Sequence, residues 1–332
     1  MASPNKSAGL AAKYTRTLQR GFTLYRQESF PNLDHLFEAR PKAGPVVFVA
    51  EHADENLLIP PLLDAVRRQQ IKGIVPAALR HQWFRSMQSS QALAQSVFGT
   101  IAVTGQISVL AGIAAEDGSP AFGPDADGMR LELEKTISTL NEPRPTSIDV
   151  WLEGRYRVAI ECKFAETGFG LCSRPRLRPR DNNYETDLCD GSYSRQRGRI
   201  SNCSLTEAGI RYWQYLDELL GWSDAVEHAP CPLSSTYQLV RNLLAVCVGE
   251  DRVLDKTAGH VLTIYDARNP AMAEDGTGMR QWNAVHQALK PPDLLRRLSW
   301  QSLLGQLPDD AMFKWLKQEL GAKYGLEAKL LI

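Results

Sequence analysis

The sequence has no excess of charge of either sign. Its 38 lysine and arginine residues are balanced by 38 aspartate and glutamate residues, so the formal net charge is +0. Proteins that bind nucleic acid over much of their surface are usually basic overall. The balance argues against that class and allows only a local basic surface, because the distribution of charge matters more than its sum.

Long apolar runs and a secretion signal are also lacking. No stretch approaches the ~18 consecutive apolar residues that a membrane helix requires, so we expect a cytoplasmic protein with no membrane partner. The N-terminal stretch is basic, because Lys6, Lys13, Arg16 and Arg20 precede the first acidic residue, Glu28. A transit peptide and a frayed basic arm both fit this pattern. The short stretch has no clear apolar face, which favours the arm.

Signatures of metal binding by histidine and cysteine are sparse. The histidines are scattered, without the spacing of a metal-binding helix. Cys162 and Cys247 lie in apolar runs, which is typical of core thiols. The other four are either four reduced thiols or a second metal site, for zinc or an iron–sulfur cluster, that would stabilise a segment with no core of its own. They are Cys172, Cys189, Cys203 and Cys231.

A β-hairpin pattern is present over residues 146–164, TSIDVWLEGRYRVAIECKF. Both halves alternate apolar and polar residues, and a glycine-containing turn separates them. With a three-residue loop at 154–156, Trp151 faces Ala159 and Asp149 faces Glu161. One side of the hairpin is then wholly apolar and the other carries the charges. A shift by one residue would destroy this separation, which supports the register.

This register places two carboxylates, those of Asp149 and Glu161, at one point, with Cβ atoms ~4.5–5.5 Å apart. Like charges so placed repel unless a cation lies between them, and Mg²⁺ or Mn²⁺ suits such oxygen ligands. Lys163 points to the same face, where its ammonium can hold the attacking water and stabilise charge on phosphorus. The backbone carbonyl of Cys162 is within reach of the same ion. The alternative is a surface hairpin in which the lysine merely neutralises the carboxylates.

The segment SIDVWLEGRYRVAIECKFAE resembles the PD-(D/E)xK nuclease superfamily, which has the restriction-endonuclease-like fold. Asp149 matches the first acidic position of its motif, Glu161 the second and Lys163 the lysine. The phrases SSQALAQSVFG, GIRYWQYL and YQLVRNLL resemble a bacterial branch of restriction-type nucleases. The core of the superfamily runs helix, three strands, helix, strand. The matching elements are expected at 86–99, 131–139, 146–153, 157–165, 235–250 and 260–268.

The resemblance implies an α/β fold with a nuclease core at 79–270 that contains an insertion at 166–205. Elaborations are expected at 1–78 and, as helices, at 271–332. The implied reaction is metal-dependent hydrolysis of DNA phosphodiester bonds in restriction, phage defence or repair, by a homodimer or with a partner protein of a defence system. The alternative is an inactive nuclease fold that binds DNA or serves as a structural subunit.

The first helix departs from the pattern of the superfamily. Many members carry a glutamate there as an extra metal ligand, whereas this chain offers Gln91 and Gln95. Either amide could take that role. Glu132 and Glu134 on the first strand are alternative acidic donors, although a solvated strand face is the interpretation we favour for both.

The second helix and the insertion supply further candidates. Gln238, Arg241 and Asn242 either face the site or form an ordinary polar helix face. The resemblance gives Gln238 a place near the metal or the DNA backbone. The insertion is rich in arginine and is expected to contact DNA phosphates, as is Arg241, without reading sequence. Its arginines are Arg174, Arg176, Arg178, Arg180, Arg195, Arg197 and Arg199.

Other segments give simpler predictions. The apolar run PVVFVA at 45–50 predicts a buried strand. Helices are predicted over 206–222 with Thr206 as its cap, over 299–307 with a serine cap, and over 309–325, where Gly321 is a candidate for an early end.

Overall fold

The computed structural model describes residues 4–39, 46–124, 126, 128–142, 145–177, 188–196 and 198–329 of the 332-residue chain. At its centre the described strands form one mixed sheet in sequence order. The first three strands are antiparallel neighbours, and the last two are added in parallel. The strands are β1 (Arg130–Ile137), β2 (Thr146–Glu153), β3 (Arg157–Cys162), β4 (Gly259–Tyr265) and β5 (Leu295–Ser299).

Helices cover both faces of this sheet, and the expected α/β class is confirmed. The described helices are α1 (Pro4–Ser29), α2 (Ala65–Gly73), α3 (Ser90–Thr104), α4 (Ser204–Glu207), α5 (Trp213–Leu220), α6 (Leu233–Cys247), α7 (Thr277–Ala288), α8 (Trp300–Gln306) and α9 (Ala311–Tyr324). Helix α3 packs on β1, β2 and β3, whereas α6 packs on β2, β3 and β4.

The hairpin of β2 and β3 is buried on both sides. Val150 and Ile160 belong to the apolar core that includes α3, whereas Trp151 and Ala159 belong to the core that includes α6. Trp151 is only 1% exposed, so the expected polar side of the hairpin is not a solvated surface. A charged residue on these strands is therefore desolvated and needs a compensating partner.

The predicted hairpin register is confirmed near the turn, where Trp151 pairs with Ala159 and Val150 with Ile160. The described ladder ends there, before the expected pairing of Asp149 with Glu161. A carboxylate oxygen of Asp149 instead accepts a hydrogen bond of 2.7 Å from the N–H of Cys162. The two strands thus separate at the predicted site, and a side chain replaces a backbone partner.

Strand β1 is irregular at Glu134, whose φ of 51° lies in the left-handed region. Leu133 and Lys135 keep their partners Val150 and Ile148 on β2, but Glu134 between them is unpaired in the described ladder. A non-glycine residue in this conformation costs of order 1 kcal/mol, and such strain concentrates at functional sites.

Capping signals position the helices next to the sheet. Ser89 caps α3 through the N–H of Ala92, and Ser299 caps α8 as predicted. Helix α9 continues beyond Gly321 to Tyr324, so the expected early end is wrong. A glycine within a helix costs only about 1 kcal/mol, which the packing of α9 outweighs.

The N-terminal stretch is a long helix and not the expected frayed arm. Leu18, Phe22 and Tyr25 of α1 are buried in the core that includes α3. The ring of Phe22 lies 6.3 Å from that of Phe164 and 6.0 Å from that of Tyr324, measured between centroids. The spacing of residues 18, 22 and 25 is that of one helix face, so the signal was present in the sequence.

Two other segments also differ from the predictions. The run at 45–50 forms no strand in its described part, where Val47 and Phe48 make isolated bridges to Ser86 and Phe37. Phe48 is buried as expected. The helix predicted over 206–222 is divided into α4 and α5, because Gly209 between them adopts a φ of 83°. Strand β5 was not predicted.

Among the described residues, no helix is both long enough and apolar enough to span a bilayer.

Candidate active site

Glu161 lies on β3 in the interior of the protein and is 2% exposed. Its carboxylate accepts three hydrogen bonds of 2.8 Å from side chains. Oε1 accepts from Lys163 and from the amide of Gln238, and Oε2 accepts from the amide of Asn242. A buried carboxylate is costly unless it is paired and hydrogen-bonded, and these donors meet that requirement.

Lys163 completes the predicted (D/E)-x-K pair and is 6% exposed. Its ammonium lies 2.8 Å from Glu161 and 3.0 Å from the amide oxygen of Gln238. Burial disfavours its charge, but the carboxylates of Glu161, Glu166 and Asp149 outweigh burial and raise its pKa. Lys163 is therefore a cation near neutral pH and acts as a hydrogen-bond donor, not as a base.

Asp149 lies on β2 where the hairpin opens. The residue is partly exposed, but its carboxyl group is enclosed by its neighbours. Burial raises its pKa well above the ordinary value, and the carboxylates of Glu161 and Glu134 raise it further. Lys163 and the N–H of Cys162 oppose this shift. A proton or a metal cation would relieve the repulsion among these groups.

Glu134 is a third carboxylate at this place, and its expected solvation is wrong. It is 8% exposed, and its oxygens accept hydrogen bonds from Gln91 of α3 at 2.6 Å and from Ser147 of β2 at 2.5 Å. Burial raises its pKa, and the charge of Glu161 adds to this. Glu132, in contrast, lies at the surface with Arg130 and Lys135, as expected.

The two candidates on α3 have different environments. Gln91 binds Glu134 with its amide nitrogen and accepts a hydrogen bond of 2.8 Å from the N–H of His81. Gln95 is held by a different partner, because its amide nitrogen donates to the carbonyl of Ile71. Its alternative role as a substitute ligand stays a prediction.

Helix α6 turns two of its three candidates toward the site. Gln238 and Asn242 are one helical turn apart, so they lie on one face, and both amides bind Glu161. Arg241 lies on another side, with its guanidinium 5.8 Å from the centre of the Tyr237 ring. Gln238 also accepts the N–H of Gly170 at 2.7 Å, which ties the start of the insertion to the site.

Sequence reasoning missed Glu166. Its carboxylate accepts hydrogen bonds of 2.5 Å from the hydroxyl of Ser90, on α3, and of 2.6 Å from the N–H of Phe164. It contributes to the raised pKa of Lys163. The only signal was a second acid three residues beyond the motif lysine.

A family model described as "Restriction Endonuclease associating with ARP" (REase-ARP) matches residues 28–325, most of the chain. The chain belongs to the REase-ARP family. The expected relationship to restriction-type nucleases is thereby confirmed. No curated protein and no solved structure matches the chain.

Nucleases commonly use divalent metal ions, so the oxygen atoms at the site of this REase-ARP protein should suit such an ion. Among the described residues, no three or more His, Cys, Asp or Glu side chains form a group that could hold a metal. Mg²⁺ does not need one, because it binds one or two carboxylates, waters and substrate phosphates. Next to Glu161, the buried oxygens Asn242 Oδ1 and Thr263 Oγ1 lack a hydrogen-bond partner in the described structure. The donor set suits a hard, oxygen-liganded cation.

The arginines of the insertion in this REase-ARP protein differ in exposure. Arg176 and Arg195 are exposed and Arg174 is partly buried. Arg199 is only 4% exposed, and none of its guanidinium nitrogens has a hydrogen-bond partner among the described residues. Its expected place on a phosphate-contacting surface is wrong. Three predicted contacts lie outside the described residues: Arg178, Arg180 and Arg197.

Proposed function

We propose that the protein is a divalent-metal-dependent DNA endonuclease whose catalytic residues are Asp149, Glu161 and Lys163. The observation that carries this proposal is the buried contact of Lys163 with Glu161, at 2.8 Å. A second carboxyl group, that of Asp149, is close enough to interact electrostatically with both residues. A structural ion pair alone would not need the additional carboxylates that raise the pKa of Asp149. Membership of a restriction endonuclease family makes DNA the expected substrate.

The proposed catalytic core is the restriction-endonuclease-like arrangement of α3, β1, β2, β3, α6 and β4. The order of these elements along the chain supports it, with α4 and α5 between β3 and α6. In this core, β2 and β3 carry the motif, α3 positions Glu134 through Gln91, and α6 positions Glu161 through Gln238 and Asn242. Strand β5 extends the sheet beyond it.

In the proposed reaction, a water oxygen forms a bond to phosphorus while the bond from phosphorus to the leaving sugar oxygen breaks, and the proton that the water releases to solvent is balanced by one that the leaving oxygen takes up from solvent. Asp149 and Glu161, with the carbonyl of Cys162, would hold Mg²⁺ or Mn²⁺, which supplies Lewis-acid stabilisation of the charge that develops on the phosphate. Lys163 is already protonated, so it donates hydrogen bonds to the attacking water or to a phosphate oxygen. Gln238 fixes the ammonium by accepting one of its hydrogen bonds at 3.0 Å.

Access of DNA and partners is part of the proposal. The exposed Arg176 and Arg195 of the insertion, together with Arg241 of α6, are proposed phosphate contacts. The insertion is tied to α6 at Gln238, so phosphates bound along it would approach the catalytic residues. The family description names an association with ARP, and we extend this to a protein partner of the present chain.

The test is cleavage of supercoiled plasmid with Mg²⁺ or Mn²⁺, with EDTA in a parallel sample. We expect metal-dependent nicking or linearisation that is abolished in Asp149→Ala, Glu161→Ala and Lys163→Ala. Calorimetry should show weaker Mg²⁺ binding for the two carboxylate variants, because each removes a ligand. Lys163→Ala should retain the metal and lose the rate.

The matched control is Glu153→Ala, because Glu153 lies on the same hairpin but at the surface, 3.2 Å from Arg130. It should cut at the parental rate. If Asp149→Ala also cuts at that rate, the active site lies elsewhere. If the parent binds DNA but does not cut it with either metal, the alternative of an inactive DNA-binding subunit is correct.

A further inference from the structure

Residues 79–84, a segment that precedes α3, lie next to the proposed active site. Gln91 of α3 makes the connection, because its amide nitrogen donates to Glu134 at 2.6 Å and to the carbonyl of Leu79 at 3.1 Å. Its amide oxygen accepts the N–H of His81 at 2.8 Å. One side chain thus binds a carboxylate of the site and the backbone of this segment, so DNA at that carboxylate would lie close to residues 79–84.

The segment exposes large apolar side chains at this place. Trp83 is 55% exposed and Leu79 is 42% exposed. Every other tryptophan of the chain is buried or partly buried. Neighbouring apolar side chains that remain in contact with water commonly mark an interaction site. Trp83 is therefore a candidate for contact with a molecule that binds at the adjacent site.

The backbone around Trp83 is held on both sides. Its N–H donates to the ring of His81 at 3.2 Å, and its carbonyl accepts the N–H of Ser86 at 2.9 Å. The next residue, Phe84, is buried, and the amide of Asn56 donates to its carbonyl at 2.6 Å. The indole is thus presented to solvent from a fixed backbone. A side chain positioned in advance loses less conformational entropy when it binds.

The same segment is joined to the basic helix α2. Arg80 donates a hydrogen bond of 2.6 Å to the carbonyl of Lys72, near the end of α2. Arg67 and Arg68 of that helix are exposed. Arg67 makes a surface ion pair with Asp64 at 3.6 Å, of a kind that contributes little to stability. Both guanidinium groups are therefore accessible to phosphates, which complements DNA at this place.

We propose that Trp83 stacks on a nucleobase of the DNA that binds at the proposed active site. The inference rests on the proposed function and adds a substrate contact to it. Every nucleobase has a flat π-face that can stack on indole, so this contact holds DNA without reading its sequence. Three hydrogen bonds, through Gln91 and His81, connect Glu134 to Trp83. A protein docked on Trp83 would obstruct DNA at the site, which favours DNA as the occupant.

The first measurement is DNA binding by the full chain with Ca²⁺ present, by fluorescence anisotropy on a pool of short duplexes of random sequence. Trp83→Ala should weaken binding by roughly 5- to 100-fold, the effect of one lost stacked base. Trp83→Phe should recover part of the affinity, because it retains an aromatic face. Val253→Ala should bind like the parent. Val253 is the matched control, because it is 59% exposed on the loop between α6 and β4.

The second measurement locates the contact. Iodouracil replaces thymine in the same duplexes, ultraviolet light links it to an aromatic side chain stacked on it, and mass spectrometry identifies the linked residue. We expect a cross-link at Trp83 in the parent. Parental affinity in Trp83→Ala, with no cross-link at Trp83, would overturn the inference, and cleavage of plasmid by that same parent would leave the proposed function intact. A cross-link at Trp83 in a parent that does not cut would support the contact and reject the proposed endonuclease.

Discussion

Gln91 donates a hydrogen bond of 2.6 Å to the carboxylate of Glu134. Gln91 lies on α3, the helix on which related nucleases commonly carry an acidic residue, and Glu134 lies on the neighbouring strand β1. In this chain the helix supplies an amide, and the amide orients an acid from the strand. In the proposed site, strand β1 therefore supplies a carboxylate that α3 lacks.

Glu134→Gln tests whether this acid contributes to the proposed reaction. We expect cleavage to fall by roughly 10- to 100-fold, as is typical when a residue that supports a metal site is changed, while the melting temperature stays close to that of the parent. Plasmid cleavage across a Mg²⁺ titration measures the effect. Glu132→Gln, at the partly exposed position two residues earlier, should cut normally. Equal rates for both variants would remove Glu134 from the site.

Substitution of Asn242 tests whether its hydrogen bond stabilises the buried carboxylate of Glu161. Asn242→Leu removes a hydrogen bond to a charged acceptor, and the free energy of unfolding should fall by about 1–3 kcal/mol. Asn242→Asp should be less stable still at neutral pH, because it places a like charge next to Glu161. Mg²⁺ should recover part of that loss in the Asp variant alone. Urea denaturation with and without Mg²⁺ measures both effects, and unchanged stability in both variants would contradict the assigned contact.

The insertion arginines allow a contrast between exposed and buried positions. Arg176→Gln and Arg195→Gln should each weaken DNA binding and reduce the slope of log K against log salt by about 1, because one phosphate contact is lost. Arg199→Gln should leave that slope unchanged, since the side chain is buried, and should alter the melting temperature instead. Fluorescence anisotropy across a salt series distinguishes them. A reduced slope in Arg199→Gln alone would reverse our assignment.

Lys323 on α9 makes stability depend on pH. It is 2% exposed and donates a hydrogen bond of 2.8 Å to Asn56 Oδ1. Burial lowers its pKa to about 7, with Glu319 opposing, from an ordinary value of 10.5. Between these values the unfolded chain holds a proton that the folded chain lacks. The free energy of unfolding should therefore rise with pH over this window, by at most about 1.4 kcal/mol per pH unit.

The measurement for Lys323 is urea denaturation at several pH values between 6 and 10. Lys323→Met should lose this part of the pH dependence, whereas Lys314→Met, at an exposed lysine of the same helix, should retain it. Identical pH profiles for the parent and Lys323→Met would show that Lys323 is not buried as a neutral amine.

The hairpin of β2 and β3 could be predicted from sequence because its information is local. Alternation fixes which residues pair, and the turn at Gly154 fixes the register as far as Val150 and Ile160. Asp149 could not be placed by the same rule, because the described ladder ends before it. Its hydrogen bond to Cys162 depends on how the two strands diverge, which no pattern of alternation encodes.

The role of Glu134 could not be predicted for a different reason. Its neighbours alternate like those of an ordinary strand, and nothing in the sequence indicates a left-handed residue at that point. Its burial arises from Gln91, 43 residues earlier in the chain. Gln238 and Asn242 were better candidates, because their spacing on a helix already placed them on one face.

The similarity recognised between this chain and its family begins at residue 28, yet the cooperative folding unit extends further toward the N-terminus. The hydroxyl of Tyr14 in α1 lies 2.9 Å from the carbonyl oxygen of Phe164 and 2.8 Å from a carboxylate oxygen of Asp266, and these two acceptors share its single proton. Phe164 directly follows the motif lysine. A chain that began at residue 28 would lack Tyr14, and the amide of Asn269 would be the remaining side-chain donor to the carbonyl of Phe164 in the described structure. It would also lack Phe22, and the rings of Phe164 and Tyr324 against which Phe22 packs would be open to water. The boundary set by homology and the boundary set by folding are therefore different here, and the second is the one that protects the end of β3 and Lys163 directly after it.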